Sequence, residues 1–179
     1  MTAPVRLSVP TAEDMHALGR DVARLSRAGD VVMLIGELGA GKTQLAQGIG
    51  EGLHVVGPVI SPTFVISRVH RAIGSGPGMI HVDAYRLGDA AEVDDLDLEA
   101  DMPNNVTVIE WGRGLAEQLS GDRLEIEIRR SFNPEDDTRD VVVTPIGRRW
   151  ENLVTQWEQL VNDDMGRDAR ADAEGDGDE

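Results

Sequence analysis

The run Gly36 to Thr43 (GELGAGKT) satisfies the pattern G-x-x-x-x-G-K-[ST] at every fixed position. In that spacing glycines let the backbone curl until its amide hydrogens face one point, the following helix aims its positive end there, and a lysine reaches the outer phosphates of a nucleoside triphosphate. Glu37, Leu38, Gly39, Ala40, Gly41, Lys42 and Thr43 are therefore the expected nucleotide contacts. Lys42 is the single lysine of the chain; every other cation is arginine. Two apolar runs end in an acid, Met79 to Asp83 (MIHVD) and Val106 to Glu110 (VTVIE). In parallel α/β sheets ligands bind at the carboxyl ends of strands, where both acids would lie. A carboxylate there can hold the magnesium of a bound nucleotide or orient an attacking water. Glu110 is the expected metal ligand, because its run is almost wholly apolar as a central strand should be. Asp83 is then the candidate for positioning water. His81 shares a strand face with Asp83 and reads as a hydrogen-bonded structural histidine.

The elements that would carry these groups can be read from periodicity. Val31 to Ile35 reads as a buried strand and Thr43 to Ile49 as a helix, the setting a phosphate loop requires. Upstream, Val5, Leu7 and Val9 alternate in a short strand. Thr11, with Asp14 three positions on, resembles a capping box opening a helix that carries Met15, Leu18, Val22 and Leu25 on one face and ends at Gly29. Thr11 either caps only, or also lies beside the nucleotide base. Downstream, Val59 to Ile66 has strand character, interrupted by Pro62, which has no ladder donor and places Ser61 to Thr63 at an edge or in a loop. Thr63 is there either an ordinary turn residue or a sensor of metal and terminal phosphate on a mobile segment. Gly74 to Gly78 reads as a hairpin loop. Asp89 to Met102 reads as an acidic helix or lid with a solvated charged face, and Trp111 as either packed core or a wall near the phosphates. Leu124, Ile126 and Ile128 alternate strictly, and with a polar turn at Asn133 to Asp137 and Val141 to Val143 they predict an antiparallel hairpin. Arg139 opens its second strand and is either a surface arginine or a nucleotide contact. Residues 148–161 place Trp150, Leu153, Val154, Trp157 and Leu160 at helical spacing, predicting a helix docked on the sheet.

Composition narrows the function classes. The 179 residues, 40% of them apolar, suffice for one sizeable core, so residues 1–161 are expected as a single domain. From Asn162 onward eight acids stand against two arginines, the composition of a disordered acidic tail. A formal charge of −16 argues against a broad electrostatic grip on nucleic acid, so DNA binding is not expected and any RNA involvement is indirect or local. There is no cysteine, which removes thiol catalysis and cysteine-based metal sites. Without an apolar signal-type stretch before Gly29 or a run of membrane-spanning length, the expected location is cytoplasmic, with no membrane association.

Taken together, the phosphate loop, Ser61 to Phe64 (SPTF), His81 to Leu87 (HVDAYRL) and Ile109 to Trp111 (IEW), in this order, resemble the bacterial TsaE (YjeE) family over roughly residues 5 to 145. The resemblance implies an α/β fold of the P-loop NTPase type, a three-layer sandwich with a mainly parallel central sheet and an antiparallel hairpin on the C-terminal side. It implies an ATPase required for threonylcarbamoyladenosine modification of tRNA beside the anticodon, acting with the TsaD and TsaB proteins and not itself the transferase. ATP and Mg2+ are the implied cofactors. By the same resemblance Lys42 and the loop amides serve the phosphates, Thr43 and Glu110 the magnesium, and Asp83 and Thr63 the hydrolysed bond, while Thr11 and Arg139 flank the nucleotide. A P-loop nucleotide or metabolite kinase is the enzyme alternative, but it usually needs a basic lid, and the segment after Tyr85 is acidic. A GTPase would carry an N-K-x-D base-reading motif, which is impossible with Lys42 as the single lysine.

Overall fold

The computed structural model describes residues 3–62, 64–131, 133 and 136–160. Thr63, the acidic segment 162–179 and part of the turn between Asn133 and Asp137 lie outside the described residues.

Seven strands form one sheet in the order β1-β7-β6-β2-β5-β4-β3: β1 Val5–Val9, β2 Val31–Ile35, β3 Ser67–His70, β4 Gly78–Asp83, β5 Asn105–Glu110, β6 Arg123–Arg130 and β7 Arg139–Ile146. The central strands β6, β2, β5 and β4 pair in parallel. Both flanks are antiparallel, β1 on β7 and β7 on β6 at one side, β3 on β4 at the other. The expected C-terminal hairpin is thus present and is built into the main sheet. Among the described residues the helices are α1 Ala12–Leu25, α2 Lys42–Gly52 and α3 Ala90–Asp94, with residues 153–160 also helical.

Alternation along the central strands separates two cores. Val32 and Leu34 of β2 and Val106 and Val108 of β5 pack with α1, α2 and the C-terminal Trp150, Leu153 and Trp157 on one face. Val31 and Met33 of β2, Ile80 and Val82 of β4 and Ile109 of β5 pack with Val93 and Leu98 on the other. Helices on one face, sheet, and α3 with short 3-10 turns on the opposite face make three layers. Burying a large apolar side chain contributes about 1.5–3 kcal/mol, so these two clusters are what hold the strand ends in place. Among the described residues no helix is long and apolar enough to cross a membrane.

Two glycines bring the helices almost into backbone contact. A Cβ on Gly48 of α2 would run into the His16 carbonyl, and one on Gly19 of α1 into the Leu45 carbonyl. The first helix is therefore clamped directly onto the helix that follows the phosphate loop, which fixes where its N-terminus points.

Three boundaries differ from the sequence reading. Residues 59–66 do not form a strand among those described: the amides of Val65 and Ile66 both donate to the Pro62 carbonyl, at 2.9 and 2.6 Å, and Ile66 sits at φ +66°. With no donor of its own, Pro62 nucleates a turn, in which Val59 stays in the core while Ile60 and Val65 face outward. Helix α1 ends at Leu25, before Gly29, because the Ser26 hydroxyl donates to the Val22 carbonyl at 2.7 Å and caps the helix early. Gly29 instead turns the chain at φ +91° into β2. Finally, the C-terminal helical pattern opens as a 3-10 turn, Arg148–Trp150, before the helix at 153–160.

Candidate functional site

The C-terminal ends of β2, β4 and β5 meet the N-terminus of α2 in a cleft of about 510 Å³ lined by the loop residues Leu38, Gly39 and Gly41 and by Lys42, Thr43, Gln44, Ser61, Asp83, Tyr85, Glu110 and Trp111. Parallel pairing sets Asp83 opposite Glu110, so the two acids emerge side by side. They share a strand face with Met79, Val106 and Val108, the face covered by α2. Both carboxylates therefore rise directly beneath the helix start.

Gly41 begins that helix at φ +114°, a conformation that favours glycine, and from there the first-turn amides of α2 have no intrahelical acceptor. The Lys42 ammonium donates to the Gly36 and Glu37 carbonyls at 2.7 and 2.8 Å, tying the loop to its own helix. Its nitrogen also sits 3.9 Å from the centroid of the Trp111 ring. Burial pulls the ammonium below its ordinary pKa, and the Glu110 and Asp83 carboxylates partly offset that shift. Lys42 is the cation of the cleft lining; no arginine is among the lining residues.

The Thr43 hydroxyl reaches both oxygens of Glu110, at 3.3 and 3.4 Å. A hydroxyl facing a carboxylate is a hard oxygen donor set suited to Mg2+, which takes one or two protein oxygens and completes its shell with water and phosphate. His81 Nε2 lies 2.8 Å from Glu110 Oε1, with His81 fully buried and Glu110 nearly so. The carboxylate is thereby oriented from behind. The Asp83 carboxylate accepts from the Ser61 hydroxyl at 2.9 Å and from the Tyr85 amide at 3.1 Å, so it joins the 59–66 turn to the segment after β4.

Trp111 does both: it packs against the second core cluster and forms a wall of the cleft. It follows Glu110 at φ +62°, a left-handed conformation that costs a bulky residue about 1–3 kcal/mol. What that conformation achieves is the placement of the indole over Lys42 and against Tyr85, ring centroids 5.1 Å apart.

The remaining candidates divide. Thr11 is the N-cap of α1 with both halves of the capping box: its hydroxyl accepts from the Asp14 amide at 3.1 Å, and its own amide donates to Asp14 Oδ2 at 3.1 Å. It also lines, with Gly39, Ala40, Gln44 and Arg139, a second hollow of about 350 Å³ on the other flank of the loop. So Thr11 and Arg139, 128 positions apart in sequence, share a pocket with the phosphate loop. Glu37 lies outside the main cleft lining and opens instead, with Gly36, onto a depression formed by Glu127 to Ser131. Thr63 is outside the described residues. His81 and Ser61 were missed as partners of the two acids. A histidine on the same strand face as Asp83 was a usable signal for the first, but its link to Glu110 needs the β4–β5 pairing.

Comparison with known proteins identifies the family. The sequence model of the family described as threonylcarbamoyl adenosine biosynthesis protein TsaE matches residues 9–141. Over 138 residues the chain is 55% identical to the tRNA threonylcarbamoyladenosine biosynthesis protein TsaE of Streptomyces coelicolor, spanning 76% of this chain and 93% of that protein. The protein of the same name from Bacillus subtilis is 38% identical over 141 residues, 79% of this chain and 85% of its own length. A crystal structure of Bacillus subtilis YdiB superposes with a TM-score of 0.70 at 30% identity, covering 92% of this chain and 98% of that one. With the family model spanning both strand-end acids and the phosphate loop, the chain belongs to the TsaE family.

Proposed function

We propose that the protein binds ATP with Mg2+ in the main cleft, hydrolyses it slowly, and serves tRNA threonylcarbamoyladenosine biosynthesis together with the TsaD and TsaB proteins, without itself transferring the threonylcarbamoyl group. The place in that pathway follows from family membership. The observation that carries the chemistry is the convergence of Lys42, Thr43, Asp83 and Glu110 on one cleft at the ends of parallel strands.

Each residue then has a distinct task. The first-turn amides of α2 and the Lys42 ammonium bind the phosphates, and Lys42 exchanges its two carbonyl partners for phosphate oxygens to do so. The Thr43 hydroxyl and the Glu110 carboxylate would hold Mg2+, which supplies charge neutralisation on the phosphates when bound, and His81 keeps Glu110 in register. Asp83 orients water and accepts its proton at a carboxylate oxygen, Ser61 and the Tyr85 amide fixing its rotamer. Thr11 and Arg139 flank the nucleotide on the far side of the loop. A cleft without an arginine leaves the charge that develops on the transferred phosphoryl to Lys42 and the metal, so the intrinsic rate is low and a partner accelerates it. Cytoplasmic location and indirect contact with tRNA complete the reading, the latter because a chain of −16 charge repels a polyanion.

The test is ATP affinity of Lys42→Ala by calorimetry. Tight binding should disappear while the far-ultraviolet spectrum stays that of the wild type; unchanged affinity would overturn the site assignment.

A further inference from the structure

Of the 33 acids in this chain none lies in residues 52–82, although acids occur on both sides of the stretch at Glu51 and Asp83. That same stretch holds six of the eight exposed large apolar side chains among the described residues: Val56, Ile60, Phe64, Val65, Val69 and Ile73, from 46% to 86% exposed. Val69 lies on β3, Val56 and Ile73 just beyond its end, and Ile60, Phe64 and Val65 in the turn that leads into it. β3 is a terminal strand of the sheet, and residues 54–56 lie along the chain just beyond it: the Val56 amide donates to the Arg71 carbonyl at 2.8 Å and the Ile73 amide to the His54 carbonyl at 2.8 Å. Arg68 and Arg71 are exposed there and form no ion pair among the described residues.

An acid-free margin that combines exposed apolar side chains with arginines is unusual on a protein of −16 charge, and exposed apolar patches mark contact sites. We propose that this β3 margin docks a protein partner whose matching surface is apolar at its centre and rimmed with carboxylates. The proposal rests on the partner reading above and locates it. Charge complementarity selects such an occupant. Five of the six side chains are aliphatic and offer no flat face for base stacking, the one aromatic, Phe64, has the Arg86 guanidinium over its ring, and the rest of the molecule repels phosphate, which disfavours nucleic acid. The margin is also continuous with the cleft. The Asp83 amide donates to the Ile66 carbonyl at 2.8 Å, and the Arg86 guanidinium lies 4.9 Å from the Phe64 ring centroid. A partner seated on residues 64–73 therefore presses on the turn that hydrogen-bonds the proposed water-orienting acid.

The test uses the full-length protein with purified TsaD and TsaB as the probe and two variants placed away from the cleft, Val69→Asp/Ile73→Asp and Arg68→Glu/Arg71→Glu. Affinity for the partners should fall about tenfold or more in each, as expected when an apolar anchor or its charge complement is lost, while affinity for Mg2+-ATP stays within about twofold of wild type. Retained ATP affinity shows that the variants fold; if the double aspartate variant loses it, Ile73→Asp alone, at a loop position, replaces it. Wild-type partner affinity in both variants overturns the proposal and leaves the partner reading standing. Failure of the wild type itself to bind the partners overturns both. The proposal is equally overturned if the variants instead abolish binding of fluorescently labelled tRNA, or if sedimentation shows that they dissolve a wild-type dimer.

Discussion

Replacing Glu110 with glutamine should remove the magnesium-dependent part of ATP affinity without weakening the rest. Three groups lean on this carboxylate: His81 Nε2 at 2.8 Å, the Thr43 hydroxyl at 3.3 Å, and the Lys42 ammonium, whose pKa it raises. Glutamine keeps the shape and one oxygen acceptor for His81, so the fold exchanges a charge-assisted hydrogen bond for a neutral one, about 1 kcal/mol. The proposed metal site, by contrast, loses its one anionic protein ligand besides whatever Asp83 contributes. Even groups that only orient metal ligands cost 10–100-fold in metal affinity, so a direct ligand should cost at least about 100-fold, close to 2.7 kcal/mol. In EDTA the sign reverses, because removing a negative charge beneath the phosphates favours a bare ATP anion. Titration calorimetry in Mg2+ and in EDTA separates the two. The reasoning is refuted if Glu110→Gln keeps the full wild-type gain from Mg2+, or if its affinity drops equally in both buffers.

Asp83→Asn should bind Mg2+-ATP nearly as well as wild type yet hydrolyse it more slowly by about 10² or more, the scale of losing a positioned general base; single-turnover phosphate release checks this, and an undiminished rate removes Asp83 from the chemistry. Far from the cleft, Arg149→Ala should destabilise the fold. The Arg149 guanidinium donates to both Asp30 oxygens, at 2.9 and 2.7 Å, and to the Leu25 carbonyl at 2.7 Å, and stacks 4.1 Å from the Trp150 ring centroid. Removing the cation from the buried Asp30 costs about 3–5 kcal/mol, discounted here because the Arg27 amide still donates to its carboxylate at 2.9 Å and the pair keeps some solvent access, so a loss of roughly 2–4 kcal/mol is expected in a urea melt. A change below about 0.5 kcal/mol would class the pair with ordinary surface ion pairs.

The parts of this site that were legible in the sequence are those set by local pattern. Strand, glycine loop and helix around Lys42 occupy consecutive residues, and each of the two acids closes its own apolar run, so no long-range pairing was needed to suspect them. Sheet order was not legible: β1 pairs with β7 and β6 lies beside β2 only because distant strands share a core. The same limit hid the His81–Glu110 contact, which exists only once β4 and β5 are neighbours in register. At Val59 to Ile66 the β-branched residues pointed to a strand, but a proline without a donor produced a turn in which Ile60, Phe64 and Val65 face solvent. Their exposure is a property of the surface and has no periodic signature. Trp111 was ambiguous because a left-handed tryptophan is decided by what it touches, here Lys42 and Tyr85.

The central claim is that this cleft hydrolyses ATP in the service of the modification pathway, and phosphate release measures it directly. Purified protein alone should turn over Mg2+-ATP well below one per second and GTP no faster; adding TsaD and TsaB should raise the ATP rate, with a ceiling set by the roughly 10³ to 10⁵ that a cation supplied in trans can contribute. Lys42→Ala should abolish the signal in both settings. Turnover of many per second by the isolated protein, or a rate indifferent to both partners, would contradict the account.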